Sequence, residues 1–503
     1  MSDFLDWHPS SKNAQKLYGI RAELQDLVYK KPAEGVNHLI NAWKFGKVSE
    51  IWDDYIFDHC VRPVFDKNEN ISINDAVRRY SILDHLLFIP YVRREENPVR
   101  FRRAFWNINS YGLRIAKRFE QLNQKPINGA VNKIRNVDRK KIAFVLKGPY
   151  KLAHVEFLHS FLNGCSIFSE HVEVFLALLD DLKSAPKDLK HVSISSFSQY
   201  QDPFLKVTAY QQYCLANQFD HICWVAPIQN FSLYMGMQLA PCQSYWSMKY
   251  HSVVLPTIQK YAGLGFGGDS FKFDDKDWFR GRAFPDLKMS SRDQVIVDRL
   301  RSSCQIPKGS FVVGCFVRSE KLHDDGFWNS VFEILKSSSK VHFVIASQSI
   351  PDKYSLVLKN LPLELKSRFH SLGWVNTKDW AHALDVYFDS APRGSCNTIF
   401  EAIEADVPIF LADSTHNRES SALPYLASAA SSLGLPNIPG VFSDEKTRLN
   451  ACLDLLLDPE KCVLLASKQK KLLISLKGRH YLFAKDYLNY FLDANFMLSS
   501  AQK

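Results

Sequence analysis

The segment from residue 385 to residue 410, DVYFDSAPRGSCNTIFEAIEADVPIF, places a basic side chain between a predicted strand and a predicted helix. The apolar run ends in a Pro-Arg-Gly-Ser turn, after which Asn397 and Thr398 are predicted to open the helix. Glu401 follows Thr398 at the spacing of a capping box. Because the N–H groups and the dipole of a helix start attract anions, and Arg393 adds positive charge, the pattern fits a phosphate site. A simple capped helix fits it equally well.

Lys321 occupies a similar place after another predicted strand. The apolar run SFVVGCFV at 310–317 is typical of a buried strand, and Lys321 lies just past its carboxyl end. A lysine there can reach a diphosphate and neutralise the negative charge of a leaving group. The alternative is a solvated loop lysine.

Glycine-rich phosphate motifs and metal ligands are not predicted at these strand ends. The run KGPYKLAH after the strand predicted at 140–148 contains one glycine. The string GLGFGG at 263–268 is interpreted as a turn, because no strand is predicted before it and no helix after it. Asp275-Lys276-Asp277 lies in a predicted polar linker, so we expect no metal site and no required cofactor.

The ten cysteines form no CxxC pair, which argues against structural zinc and disulfides.

The elements that would position these residues follow a simple order along the chain. Apolar spacings of three and four predict helices in the first part, including one over 101–122. From residue 139 onward, apolar runs alternate with helical stretches, which predicts mostly parallel α/β sheets. The predicted strands lie at 140–148, 172–179, 191–197, 221–227, 310–317, 341–347, 385–390 and 407–413. The predicted domains are a helical N-terminal domain at 1–136, Rossmann-like domains at 137–290 and 291–480, and a helical tail at 481–503.

Composition sets broad limits on the class of protein. Of the 503 residues, 46% are hydrophobic and 23% charged, as in ordinary globular proteins. No apolar run has the length of a membrane helix, and the sequence does not begin with a basic segment followed by an apolar stretch. We therefore expect a cytoplasmic protein without stable membrane insertion. The net charge of +10 is spread along the chain and no nucleic-acid-binding motif accompanies it, so no nucleic-acid partner is expected.

Four short motifs occur in a characteristic order between about residues 140 and 415. They are Met237–Gln243, Tyr250-His251-Ser252, Arg318–Leu322, and Asn397-Thr398 followed by Glu401. Together they resemble the bacterial cytoplasmic N-glycosyltransferases that modify high-molecular-weight adhesins, and the related O-GlcNAc transferases. The segment Asp406–Ile409 is similar to the G-x-P-[VIL] pattern of many two-domain nucleotide-sugar transferases, with Asp406 in place of glycine. Glu401 replaces an aspartate of the family, and Cys396 stands near a histidine of the O-GlcNAc branch.

The resemblance implies a GT-B fold, in which two Rossmann-like domains face a cleft after an all-α N-terminal domain. It implies a donor site for UDP-glucose or a related UDP-hexose, formed by His251, Arg318, Lys321, Arg393, Ser395, Asn397, Thr398 and Glu401. Lys321 would neutralise the departing UDP and is one of two catalytic candidates. The other is His154, which lies in the loop after the first predicted strand and would act as general base.

The implied reaction is inverting, metal-independent transfer of a hexose, glucose foremost, to an Asn or Ser/Thr side chain of a protein. A first alternative is transfer to a surface polysaccharide or lipid-linked glycan, which the basic amphipathic faces in residues 92–118 favour through peripheral membrane contact. A second alternative is a non-catalytic nucleotide-sugar-binding protein.

Overall fold

The computed structural model describes residues 72–86, 98–123, 139–147, 155–180, 188–226, 232–247, 255–265, 269–273 and 275–496. These residues divide into two compact units. The first unit contains the described residues up to Ala283 and from Tyr481 onward, and the second runs from Phe284 to His480. The second unit is therefore continuous in sequence, whereas the first is assembled from two separate stretches.

The first unit begins with two helices, α1 (Ile73–Leu86) and α2 (Pro98–Asn123). The helix predicted over 101–122 is thereby confirmed, and the helices predicted before residue 72 lie outside the described residues. Both helices pack beside a short helix at 232–236, where Tyr80 Oη lies 2.8 Å from Ser232 Oγ. Gly112 permits this close approach, since a Cβ there would lie 2.2 Å from Ser232 Oγ.

The remaining elements of the first unit form an eight-stranded sheet with flanking helices. They are β1 (Lys140–Leu146), α3 (Glu156–Cys165), β2 (Val172–Leu178), β3 (Val192–Ser196), α4 (Pro203–Asn217), β4 (His221–Ala226), α5 (Ser232–Gly236), β5 (Cys242–Ser247), β6 (Lys260–Gly265), β7 (Asp269–Phe273) and β8 (Lys276–Arg282). The strand order is β3-β2-β1-β4-β5-β6-β8-β7, and only β7 pairs antiparallel among these described strands. Residues 142–146 of β1 are completely buried, as expected for a parallel strand covered on both faces.

Two interpretations of the sequence were wrong in this region. The polar linker predicted around residue 275 is the β7–β8 hairpin, with Asp275 in its turn and Asp277 exposed on β8. The first half of GLGFGG belongs to β6, so a strand does include it; the next described element is β7 and not a helix. β6 and β8 contain Gly, Tyr and Trp instead of continuous aliphatic runs, and a distant helix supplies packing partners for Tyr261, Gly263 and Gly281.

That helix is α16 (His480–Leu492), which returns to the first sheet. Tyr487 Oη donates to the carbonyl of Gly263 on β6, and its ring stacks on Trp246 with centroids 4.8 Å apart. Tyr490 Oη donates to Tyr261 O over 2.9 Å, and Lys260 Nζ donates to Tyr490 O over 2.8 Å. The end of the chain thus completes the core of the first unit.

The second unit is a six-stranded, fully parallel sheet in its described part, with helices between the strands. Its elements are α6 (Gln294–Ser303), β9 (Phe311–Phe316), α7 (Asp325–Ser337), β10 (Val341–Ala346), α8 (Asp352–Lys359), α9 (Leu363–Lys366), β11 (Phe369–Ser371), α10 (Thr377–His382), β12 (Val386–Phe388), α11 (Asn397–Glu404), β13 (Ile409–Ala412), α12 (Thr415–Ser420), α13 (Leu423–Ser432), β14 (Val441–Phe442), α14 (Glu445–Leu457) and α15 (Pro459–Leu476). The strand order is β11-β10-β9-β12-β13-β14. All eight strands predicted from apolar runs are present, so the prediction of two parallel, Rossmann-like sheets is confirmed.

In the part of the chain that the structure describes, no helix combines the length and the apolarity needed to cross a bilayer.

Candidate functional site

The strand order of the second sheet reverses between β9 and β12. From β9 the chain adds β10 and β11 on one side, and then β12, β13 and β14 on the other. Parallel sheets of this kind bind ligands outside the carboxyl ends of their strands at such a switch point. The loop after β9 contains Arg318 and Lys321, and the loop after β12 contains Arg393 and Ser395. The fold therefore brings four of the predicted donor-site residues to one edge of the sheet.

Lys321 is the residue that joins the two loops. It ends a short 3₁₀ turn formed by Ser319–Lys321, directly before the buried Leu322. Its Nζ donates a hydrogen bond to the carbonyl of Gly394. The ammonium group therefore lies against the loop that leads into α11, which places a positive charge at the switch point.

The loop after β12 is held in shape by its own polar groups. Ser395 N donates to Asp389 Oδ2 over 2.8 Å, and Ser390 Oγ donates to Arg393 O over 2.6 Å. Gly394 N donates to Oδ1 of Asn417, on α12, over 2.5 Å. A loop held by its own hydrogen bonds and by Asn417 presents a fixed surface to a ligand, which lowers the entropic cost of binding.

Asp389 is a buried carboxylate directly beneath this loop. Its side chain is inaccessible to solvent, and burial raises its pKa, whereas the charge of Lys321 and the bond from Ser395 act in the opposite direction. Oδ1 has no hydrogen-bond partner among the described residues. Asp389 was not among the residues predicted for the site, although a carboxylate immediately after the apolar run of β12 was a signal for it.

The start of α11 differs from the predicted capping box. The helix begins at Asn397, and Cys396 occupies the N-cap position without a side-chain cap. Thr398 is the second helical residue, and its hydroxyl donates to the carbonyl of Phe316 over 3.3 Å and lies 2.9 Å from Tyr387 Oη. The capping-box interpretation was therefore wrong, because the strand-end carbonyl of β9 competes for the threonine hydroxyl.

The electrostatic field at the start of α11 favours binding of an anion. Glu401 lies in the second turn of α11, and the first turn contains no acidic residue. The positive end of the helix dipole is therefore not offset by a carboxylate of its own helix, which is the usual arrangement at a phosphate-binding helix start.

The other predicted residues of this edge differ in exposure. Arg318 is exposed immediately after β9, whereas Arg393 and Asn397 are partly buried. Ser395 is buried, and its hydroxyl donates to the same Phe316 carbonyl over 3.3 Å. The Arg318 side chain is therefore accessible to solvent, while Ser395 secures the loop to β9.

A buried arginine, Arg448, is hydrogen-bonded to the main chain of the loop after β12. Arg448 of α14 is completely buried, and its Nη1 donates to Asp389 O over 2.9 Å. Its Nη2 donates to Glu445 Oε1 over 2.8 Å, and its guanidinium lies 4.2 Å from the ring centroid of Phe388. Asn417 and Arg448 were both missed from the sequence, because Asn417 comes from the helix after β13, Arg448 comes from α14, and no local pattern marks either residue.

The carboxyl edge of the first sheet also carries a cluster of charged residues, Lys147, Asp180 and Lys206. Lys147 follows β1, is buried, and burial lowers its pKa to about 8, with Asp180 acting in the opposite direction. Lys206 of α4 pairs with Asp180 at 2.9 Å. The predicted residues His154 and His251 lie outside the described residues, and the nearby His159 is partly buried with Nε2 3.5 Å from Asp188 Oδ2.

Across the described ranges, no group of three or more His, Cys, Asp or Glu side chains is placed to hold a metal ion.

The two parallel sheets, each flanked by helices and each with one switch point, correspond to the GT-B fold of glycosyltransferases. A lysine-to-methionine mutant of an O-GlcNAc transferase from Thermobaculum terrenum is similar at a TM-score of 0.52 and 12% identity, over 96% of this chain and 98% of that one. HepE from Anabaena, solved with UDP and glucose, gives a TM-score of 0.47 at 14% identity, over 71% of this chain and 100% of that one. At such identities the likeness concerns the fold alone. No protein-family model matches the sequence, and no curated protein is similar enough to count as a relative.

Proposed function

We propose that the protein is a glycosyltransferase whose UDP-sugar donor binds at the carboxyl edge of the second sheet. The observation that carries the proposal is the contact of Lys321 with the Gly394 carbonyl, between the ends of β9 and β12 and beside the start of α11. Independently, two of the four motifs that resemble the adhesin-modifying N-glycosyltransferases and O-GlcNAc transferases lie here: Arg318–Leu322 in the loop after β9, and Asn397-Thr398 with Glu401 on α11. A positive side chain and an uncapped helix start together suit a diphosphate.

In the proposed reaction the acceptor attacks the anomeric carbon of the sugar while the bond to the β-phosphate oxygen breaks, so the configuration inverts. UDP leaves with additional negative charge, which Lys321 and the dipole of α11 stabilise. Asn397 and Thr398 would contact phosphate through the helix start, and Arg318 and Arg393 would add positive charge.

The remaining assignments come from the sequence. His154 would accept the proton of the acceptor, His251 would contact the uridine or phosphate, and Glu401 would contact the ribose. Transfer of glucose without a metal ion, and residence in the cytoplasm, stay predictions on the same basis.

The acceptor is proposed to be an Asn or Ser/Thr side chain of a protein, following the motif resemblance. Transfer to a surface polysaccharide or lipid-linked glycan is a second candidate, favoured by α2. On that helix Trp106 is 61% exposed, and Arg114 and Lys117 are exposed as well. A screen of UDP-sugars against peptides and saccharides, read by mass change, distinguishes the two acceptor classes.

Lys321→Ala tests the donor site. Turnover of the UDP-sugar should fall about 100-fold or more, the loss typical for removal of one charge-stabilising group, while the protein stays folded. The exposed Lys340 serves as the control, since Lys340→Ala removes a lysine of the same unit outside the site. Wild-type turnover in Lys321→Ala would exclude the proposed donor site.

His154→Ala tests the base in the same assay. Turnover should fall far more than the affinity for UDP, because a general base acts on the acceptor proton and not on the nucleotide. Equal loss of turnover and UDP affinity would indicate a structural role instead.

A further inference from the structure

Helix α15 presents an unusual combination of side chains to solvent. Lys461, Leu464, Lys468, Lys471 and Ile474 recur at spacings of three, four and seven residues, so they lie on one face of the helix. All are exposed, and the apolar members are strongly so: Leu464 is 56% and Ile474 54% exposed. Val463 borders this face at 71% exposure. We call these six residues the α15 face.

The opposite side of α15 is fixed to the second sheet. Leu472, Leu473 and Leu476 are buried there. Gln469 is buried as well and forms two hydrogen bonds with the backbone of Ile409 on β13: Ile409 N donates to its Oε1 over 2.8 Å, and its Nε2 donates to Ile409 O over 2.9 Å. The α15 face is therefore held in place before any partner arrives.

The charge of this segment is strongly one-sided. Residues 461–479 contain six basic side chains and no acidic one. Lys461 pairs with Asp458 at 3.6 Å, and Lys470, on the side of the helix, pairs with Asp406. No described carboxylate forms an ion pair with Lys468 or Lys471, so the α15 face keeps its positive charge.

We propose that the α15 face docks the protein on an anionic lipid bilayer. Lysines at the rim of such a helix meet lipid phosphates, while the neighbouring apolar side chains enter the boundary between headgroups and acyl chains. A nucleic acid or an acidic polysaccharide would satisfy the lysines but leave Val463, Leu464 and Ile474 in water. A bilayer surface satisfies both sets of side chains. This inference does not depend on the proposed enzymatic activity.

The test is co-sedimentation of the full chain with vesicles of phosphatidylcholine alone or mixed with phosphatidylglycerol. The wild type should bind the mixed vesicles and lose binding as salt is raised, since surface charges are screened. Lys468→Glu with Lys471→Glu should reduce binding at least about tenfold. Leu464→Ser with Ile474→Ser should reduce it even at low salt.

Matched controls exist in the same unit. Lys340 and Lys359 are exposed and form no ion pair with a described carboxylate, so Lys340→Glu with Lys359→Glu applies the same charge change elsewhere. Leu363 is 81% exposed, more than Leu464 or Ile474, and Leu363→Ser removes an exposed apolar side chain elsewhere in the unit. Both controls should bind vesicles like the wild type, and all variants should keep the wild-type unfolding midpoint.

Three results would overturn the proposal: no binding of the wild type to mixed vesicles, equal binding to neutral and anionic vesicles, or equal loss in the Lys340/Lys359 control. Retention of a single-stranded oligonucleotide on a filter, together with no vesicle binding, would identify a polyanion site instead.

Discussion

Gly394 lies in the proposed donor site at a position that has no space for a side chain. A Cβ added there would lie 2.3 Å from Asp389 Oδ2 and 2.8 Å from Asn417 Oδ1. Neither neighbour can withdraw easily, because Asp389 Oδ2 accepts the bond from Ser395 N and Asn417 Nδ2 donates to Ala412 O over 2.7 Å. Gly394→Ala should therefore shift the loop itself and lower the free energy of unfolding by about 1–3 kcal/mol, the usual cost of overpacking.

The functional effect should exceed the effect on stability. The carbonyl of Gly394 accepts the bond from Lys321, so a displaced loop also displaces the ammonium group. Misplacement of a catalytic group by about 1 Å can cost about 100-fold in rate, and we expect a loss of this size in turnover. Calorimetry with UDP and a urea titration of the same preparation measure affinity and stability separately.

Gly309→Ala provides the control for stability. Gly309 has φ +83° and no atom within 4 Å of an added Cβ, and it precedes the amino end of β9, at the edge opposite the proposed site. An alanine in this left-handed conformation costs about 1–2 kcal/mol without touching the loop. Gly309→Ala should keep UDP affinity and turnover. If Gly394→Ala bound UDP and turned over like Gly309→Ala, the fixed geometry assigned to the loop would be refuted.

Three further predictions concern buried charged and titratable groups. Arg448→Met leaves the Asp389 carbonyl and Glu445 without their guanidinium partner, so urea titration should show a loss of about 2 kcal/mol or more, partly recovered by adding Glu445→Gln. Asp389→Asn removes negative charge beside the proposed diphosphate site, so calorimetry should show UDP bound severalfold more tightly; weaker binding in a folded variant would contradict this. Burial lowers the pKa of His221 from 6.5 to about 3, so the native state keeps it neutral. Its contribution to stability is complete above about pH 6.5 and is lost as pH falls toward 3, which should make the urea midpoint of the wild type fall more steeply with acid than that of His221→Asn.

The sequence predicted the strands whose two faces are both buried in helices. β1, β9 and β10 contain long apolar runs because most side chains of a parallel strand covered on both faces meet the core. The start of α11 at Asn397 was also predicted correctly, since it depends on the local turn after β12.

The strands β6, β7 and β8 were not predicted, for a reason that lies far along the chain. Tyr261 and Gly263 of β6 and Gly281 of β8 contact Tyr487 or Tyr490, more than 200 positions away, and β7 pairs only with β8 among the described strands. A local pattern has no access to such partners. Gly281 on β8 is an example, since a Cβ there would lie 2.4 Å from the ring of Tyr487.

The same limitation applies to the local geometry around the proposed site. Lys321 and the loop at 391–396 follow apolar runs, so the expectation that they meet at one edge agrees with the structure. The capping box failed because Thr398 bonds to a carbonyl of a different strand, 82 positions earlier. Arg448 reaches Asp389 across 59 positions, a relation that only the folded chain displays.

The return of α16 to the first sheet also affects the order in which the two units can fold during synthesis. Residues 284–480 of the second unit form an uninterrupted stretch, so they can fold as one body while the chain is still growing. The core of the first unit is complete only after Tyr487 and Tyr490 have been synthesised. Their hydroxyls bond to carbonyls of β6, which lies more than two hundred residues earlier in the chain. A nascent chain released before α16 would therefore contain a folded second unit and a first sheet whose aromatic surface is uncovered, and exposed apolar surface of this kind promotes aggregation.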